Sequence, residues 1–145
     1  MKRTILIGAA VLALGCGGEE GLPDAGPTTG VFLRATGAAA RSNINGVAPA
    51  MGFQYYLIDA SFEARGVGPI SIAPFTFDVI LADGTRITAD SRTNELADGC
   101  TSQTVPVDAT VNCRLAFLAA LDAAPPASLE YENDGTRATA TVPPL

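Results

Sequence analysis

Histidine is missing from this chain altogether, and that absence removes most of the chemistry a protein side chain can do. Without imidazole there is no Ser-His-Asp or Cys-His machinery and no imidazole ligand for a metal. The scattered glycines match no nucleotide-binding loop. Carboxylates are the remaining general acids and bases, and a pair about 5–10 Å apart in a cleft could cleave a glycosidic bond. Asp78, Asp83, Asp90, Glu95 and Asp98 cluster in sequence, but most fall in turns or on outward strand positions, where a carboxylate is simply solvated. Tryptophan, the usual platform for a sugar ring, is also missing. Asp83 and Asp134 carry oxygens of the kind calcium takes, yet each precedes a glycine and turn geometry accounts for both. No EF-hand spacing is present. The expectation is therefore no catalytic residue, no cofactor and no metal site. Sulfur is the other reactive element, at Cys16, Cys100 and Cys113.

The surroundings of Cys16 carry the most specific signal. Met1-Lys2-Arg3 is a basic start, and the run from Ile5 to Leu14 is uninterruptedly apolar. A membrane-spanning helix needs roughly 20 such residues. A basic end followed by ~7–15 apolar residues is the layout of a signal peptide, and a globular helix would show a polar face. Ala13-Leu14-Gly15-Cys16 resembles the lipobox of bacterial lipoproteins, although Ala13 stands where leucine is favoured. The resemblance implies cleavage before Cys16 and acylation of its sulfur and amine. One acyl chain holds only marginally, whereas two or more anchor stably. Gly17, not aspartate, follows the cysteine, which by analogy with enterobacterial sorting permits transfer to the outer membrane. Processing would also remove Lys2, the only lysine, and with it Ser-Lys and Schiff-base mechanisms.

With Cys16 assigned to lipid, Cys100 and Cys113 remain. Two thiols in an oxidising compartment, in a domain of this size, most simply form a disulfide. Two thiolates without histidine make an incomplete zinc site, and a redox pair is usually Cys-x-x-Cys.

The elements that must position these residues divide the chain into three parts: a signal peptide over 1–15, a lipidated cysteine with a flexible tether over 16–30, and one domain over 31–145. The tether is rich in glycine, proline and acids and has almost nothing to bury. Beyond it the pattern turns to β. Residues 31–36 form a first strand candidate, followed by a polar, glycine-bearing loop over 37–52. Residues 53–64 are the longest candidate, with Ile58, Ala60, Phe62 and Ala64 alternating against Asp59, Ser61 and Glu63. Ile70 and Ile72 begin the next element, which Pro74 kinks or places at an edge. Phe75, Phe77, Val79 and Leu81 then alternate up to Asp83-Gly84, a hairpin signal for a type I′ turn. Val111, Cys113, Leu115 and Phe117 share a face, with a loop or single helical turn expected after Phe117. A last hairpin turns at Asp134-Gly135. Short strands with turn signals every 8–12 residues predict an all-β sandwich or barrel.

At 145 residues, with 48% hydrophobic and 17% charged, the chain can build one packed core. The formal net charge of −6 becomes more negative once Lys2 and Arg3 are removed. An acidic protein with no basic stripe repels phosphates, so no nucleic-acid partner is expected.

From Tyr55 to Val142 the chain resembles the exported bacterial immunoglobulin-like domain family known as domain of unknown function 4352. The residues that carry the likeness are the strand 56–60, the segment Pro74 to Thr85 with its Phe-bearing strand and Asp-Gly hairpin, the Leu115-x-Phe117 strand, and Leu129-Glu130-Tyr131. Val107-Asp108-Ala109-Thr110 stands where the family often has Pro-Gly-x. The resemblance implies an immunoglobulin-like antiparallel β-sandwich and brings no catalytic residue. The function expected is a non-enzymatic, lipid-anchored module of the cell envelope. Its membrane contact is through the N-terminal lipid, and an envelope or extracellular protein is its partner, met through the 37–52 and 89–103 loops. The alternatives are an envelope hydrolase with paired carboxylates and a purely structural spacer.

Overall fold

A computed structural model describes residues 29–145; the expected signal peptide, Cys16 and nearly all of the expected tether lie outside the described residues. The described residues form nine strands: β1 (Gly30–Arg41), β2 (Phe53–Arg65), β3 (Ile70–Ile72), β4 (Phe77–Leu81), β5 (Arg86–Thr88), β6 (Gln103–Val105), β7 (Thr110–Ala120), β8 (Pro126–Asn133) and β9 (Thr136–Thr141). Short 3₁₀ turns occur at Pro74–Thr76 and Ser91–Glu95.

The strands sort into two main antiparallel sheets, ordered β1-β2-β7 and β5-β4-β8-β9, with a small β3-β6 ladder beside them. Immunoglobulin-like sandwiches place strands A-B-E-D in one sheet and C-F-G in the other, with C′ added to the second. Here β1, β2 and β7 take the A, B and E places, and β5, β4, β8 and β9 take C′, C, F and G. The expected fold class is therefore the observed one.

Alternation along the strands builds the core between the sheets. Tyr56, Ile58, Ala60, Phe62 and Ala64 of β2 and Leu115 and Phe117 of β7 face Phe77, Val79 and Leu81 of β4 and Leu129 and Tyr131 of β8. At its centre Phe62 meets Tyr131 edge-on at 4.7 Å and Phe77 at 6.2 Å, so one ring of the first sheet sits against two of the second. Each such ring contributes roughly 1.5–3 kcal/mol by leaving water. Their hydroxyls are not stranded: Tyr131 donates to the Ser71 carbonyl at 2.8 Å, and Tyr56 to those of Ala123 and Ala124.

Four local features differ from the sequence reading. First, β1 does not stop at Thr36 but runs on to Arg41, because a β-bulge between Ala35 and Gly37 inserts Thr36 and flips the alternation. Leu33 and Ala35 face the core before the bulge, Ala38 after it, so a strict period of two breaks in mid-strand. Second, β7 remains a strand through Ala120, where paired Phe53 holds it. Third, Phe75 lies in the first 3₁₀ turn with 73% of its surface exposed, not in the core row of Phe77. Fourth, Asp83-Gly84 is a hairpin but not of type I′. Gly84 alone has positive φ, its N–H returns to Leu81, and Leu81 N–H takes the Thr85 carbonyl, the pattern of a three-residue loop with a glycine bulge. Paired positive φ values occur instead at Asn45-Gly46 and Asp134-Gly135.

Candidate functional site

The outer surface of the β1-β2-β7 sheet departs most from an ordinary solvated sheet face. Cross-strand partners share a face, so the registers lay out three outward rows: Gly37-Asp59-Arg114, Ala39-Leu57-Ala116 and Arg41-Tyr55-Leu118. Six of these nine residues carry no charge and are apolar or nearly so, on the side that alternation assigns to water. A second small core explains part of this. Ile44 from the β1–β2 loop and Leu96 from the segment before β6 close over Tyr55, Ala116, Leu57 and Leu118.

Both loops predicted as recognition elements take part. Residues 37–41 belong to β1, while the rest of the first loop and the 89–103 segment fold down onto the sheet and meet. Asn45 Nδ2 donates to the Glu95 carbonyl at 2.6 Å. Along the outer edge of β7, Asp90 N–H bonds the Ala116 carbonyl and Cys100 N–H the Arg114 carbonyl. Arg114 N–H in turn bonds the Asp98 carbonyl. This irregular segment stands where strand D would lie. Cys100 and Cys113 form the predicted disulfide, with an S–S distance of 2.05 Å, and it fastens that segment to β7. An immunoglobulin bridge joins strands B and F across the core; this one stays at the margin of one sheet.

The remainder of the face is open. Gly37, Ala38, Ala39, Arg41, Leu57, Asp59 and Arg114 line a concavity of about 200 Å³. A second, of about 130 Å³, lies on the other side of Asp59 and is bordered by Thr36, Asp98, Asn112 and Cys113. Between them Arg114 Nε donates to Asp59 Oδ1 at 2.6 Å, while Arg114 Nη1 stands 3.5 Å from Asp98. The Asp59 hydrogen bond pushes the Arg114 guanidinium up from its ordinary value, so it is always charged. The second Asp59 oxygen lies over Gly37, 2.7 Å from where a Cβ would stand. A Cβ there would make the Asp59 carboxylate shift, and the bulge at Thr36 is what brings Gly37 opposite Asp59. Arg41 is exposed and has no acidic partner among the described residues.

The sequence-predicted carboxylates lie elsewhere or are bridged by arginine. Asp78 accepts from Arg86 at 2.7 Å and from Thr88, and the other end of Arg86 reaches Glu130 at 2.6 Å, all on the outer face of the second sheet. Asp83 accepts the Thr85 N–H, which holds its carboxyl below the usual range. Asp90 caps the second 3₁₀ turn by accepting the Arg92 N–H, and Glu95 pairs with Arg92. Asp98 alone of the five borders a concavity of this face. Among the described residues no three acidic or sulfur side chains converge as a metal site would require. Cys16 lies outside the described residues. Sequence reasoning passed over Gly37, Arg41, Asp59 and Arg114. The available signal was a glycine followed by three alanines in a segment flanked by β-formers, where turn residues alone cannot explain the small side chains.

No protein-family model matches the chain, and no curated protein does. Among solved structures it is similar to MPT63, a secreted protein from Mycobacterium tuberculosis, at 17% identity and a TM-score of 0.50. The match covers 71% of this chain and 77% of that one. At that identity the likeness is one of fold, and the fold is an antiparallel β-sandwich.

Proposed function

We propose that this protein is an exported lipoprotein, acylated at Cys16, whose β-sandwich acts as a non-enzymatic binding module at the cell envelope. The observation that carries the reading is the Cys100–Cys113 bond at the edge of β7, since such bonds persist outside the reducing cytoplasm. The basic-apolar start and the Ala13-Leu14-Gly15-Cys16 sequence supply the route out and the anchor. Binding is favoured over catalysis because Asp78 and Glu130, and likewise Asp59 and Asp98, are bridged by an arginine on open sheet faces.

The domain also has a direction. The chain enters β1 at Gly30, opposite Arg65, and leaves it at Arg41, opposite Tyr55. Val47, Met51, Phe53 and Leu121 are exposed at this second end, roughly 35–40 Å from Gly30 at ~3.3 Å per residue. Exposed apolar side chains at one end of the sandwich suit a contact with a partner.

Cys16→Ser tests the anchor. Wild-type cells fed labelled fatty acid should show a labelled, membrane-bound chain, and the variant neither label nor membrane retention. Intact, unmodified wild-type chain in the cytosol would overturn the reading. Crosslinking on intact cells tests the binding role, with a specific adduct as the expected result.

A further inference from the structure

We propose that the concavity between Phe75 and the second 3₁₀ turn binds one ring of an uncharged, glucose-configured saccharide, the ring stacked on Phe75 and its hydroxyls bonded to Ser91, Asn94 and Ser102. This rests on the reading of the domain as a binding module, and is independent of the lipid anchor.

An exposed aromatic ring is ordinary by itself; the setting of Phe75 is what points to a ligand. The ring is 73% exposed, while Pro74 and Thr76 on either side of it are buried. Thr76 Oγ1 accepts the Ala73 N–H at 3.2 Å and donates to the Ala73 carbonyl at 2.7 Å, and the proline ring fixes φ at position 74. Two anchored neighbours thus hold Phe75 outward.

The facing wall comes from the 89–103 segment, which Thr93 and the Cys100–Cys113 bond fasten to β7. Pro74, Phe75 and Ala89 make one side apolar, and Ser91, Asn94 and Ser102 make the other polar, around about 210 Å³. A 3₁₀ helix has three residues per turn, so Ser91 and Asn94 share the side that lines the concavity. Arg92 and Glu95 share the next side, where they pair at 2.7 Å, and Thr93 is buried on the third. The charges of the turn are thereby kept out. The concavities around Asp59 and beside Asp134 include ionisable side chains; this one includes none. Side-chain hydrogen bonds within the segment are made by Asp90, Arg92, Thr93 and Gln103. The Ser91 and Ser102 hydroxyls and the Asn94 amide have no protein partner among the described residues.

Those three groups offer both donors and acceptors, as do the neighbouring hydroxyls of a sugar. A glucose-configured ring carries its hydroxyls equatorially, so its faces are C–H groups that fit the electron-rich face of an aromatic ring. An acidic sugar would enter the field of a chain with a net charge of −6 and find no cation in the lining. A proline-rich peptide also stacks on an aromatic ring, but its amides only accept, which leaves the serine and asparagine oxygens unmatched. The volume falls below the ~300–1,000 Å³ of drug-sized pockets, which suits a single ring.

The test is an amide-shift titration of the ¹⁵N-labelled full chain, held in a detergent without a sugar headgroup, with cellotriose as the probe. Saturable shifts centred on Phe75, Ser91, Asn94 and Ser102 are expected. Phe75→Ala should weaken binding about tenfold and leave the thermal midpoint unchanged, because the ring lies outside the core. Phe75→Tyr should bind as the wild type does. Asn94→Ala and Ser102→Ala should each weaken binding about fivefold, the size of one neutral hydrogen bond. No saturable shift, wild-type binding by Phe75→Ala, or tetraproline moving the same amides at lower concentration than cellotriose would overturn the proposal. Crosslinking on cells reads the broader binding role separately, so a protein adduct together with a silent cellotriose titration would reject this ligand class and keep the module.

Discussion

Thr93 completes the backbone pairing of Ala116. Its hydroxyl oxygen accepts the Ala116 N–H at 3.0 Å and donates back to the Ala116 carbonyl at 3.5 Å. A side chain thus takes the place of a neighbouring strand on the edge of β7, and Thr93 is fully buried in doing so. Just beyond it, a Cβ on Gly99 would run into the Thr93 carbonyl oxygen. The 89–100 segment is therefore fitted to the sheet, and its position is as determined as that of a strand.

Thr93→Val keeps the shape and deletes the hydroxyl, leaving the Ala116 N–H buried without a partner. The expected loss is about 1–3 kcal/mol in urea unfolding, with Thr93→Ser recovering most of it. A Thr93→Val midpoint equal to wild type would mean that water, not the hydroxyl, serves Ala116.

Replacing both Cys100 and Cys113 with serine should lower stability by about 3 kcal/mol, the chain-entropy value for a loop of this length. The two half-cystines are separated by 13 residues. Reductant should lower the unfolding midpoint of the wild type and leave that of the double variant unchanged. Thiol counting on the unreduced domain should find neither Cys100 nor Cys113 free.

Phe62→Ala should be the more damaging change, at about 3–5 kcal/mol, because it empties the contact between the sheets that Phe77 and Tyr131 both share. Phe62→Leu should retain much of that. Circular dichroism melts would rank them, and equal effects would show that the ring geometry adds nothing to its volume.

Stability should also fall on the alkaline side. Burial pushes the Tyr131 hydroxyl above its ordinary value, so the folded state holds this proton more tightly than the unfolded chain. Its contribution is complete below the unfolded pKa of about 10 and is lost as pH rises through the folded value. Tyr131→Phe, although less stable at neutral pH for want of the Ser71 bond, should lose less between pH ~9 and ~11. At the acid end, Glu63 is lowered by its hydrogen bond with Arg65 and Asp83 by that with Thr85. Their contributions are present above about pH 4.5 and fade below it, and both groups are so exposed that the slope should be shallow.

The core of this fold was legible because alternation is a local property. Ile58, Ala60, Phe62 and Ala64, and Cys113, Leu115 and Phe117, face inward as their spacing required. What stayed hidden is non-local. The bulge at Thr36 depends on pairing with Asp59, and nothing within 31–41 announces a flipped face. The roles of Ile44 and Leu96 depend on two loops meeting across a sheet. The Asp83-Gly84 dipeptide allows either turn type, and the loop's length between paired Leu81 and Thr85 selected the glycine-bulge form. The candidate site was invisible for the same reason: Gly37, Asp59 and Arg114 come from three strands and become neighbours only through register.

Because the 90–100 segment seals one side of the first sheet, the described residues leave only the β1 side free to accept another strand. An open sheet edge is a template on which further strands can add and grow into fibrils. Two molecules joined at β1 would use up the open side of the first sheet in each, so growth through that sheet terminates at a pair.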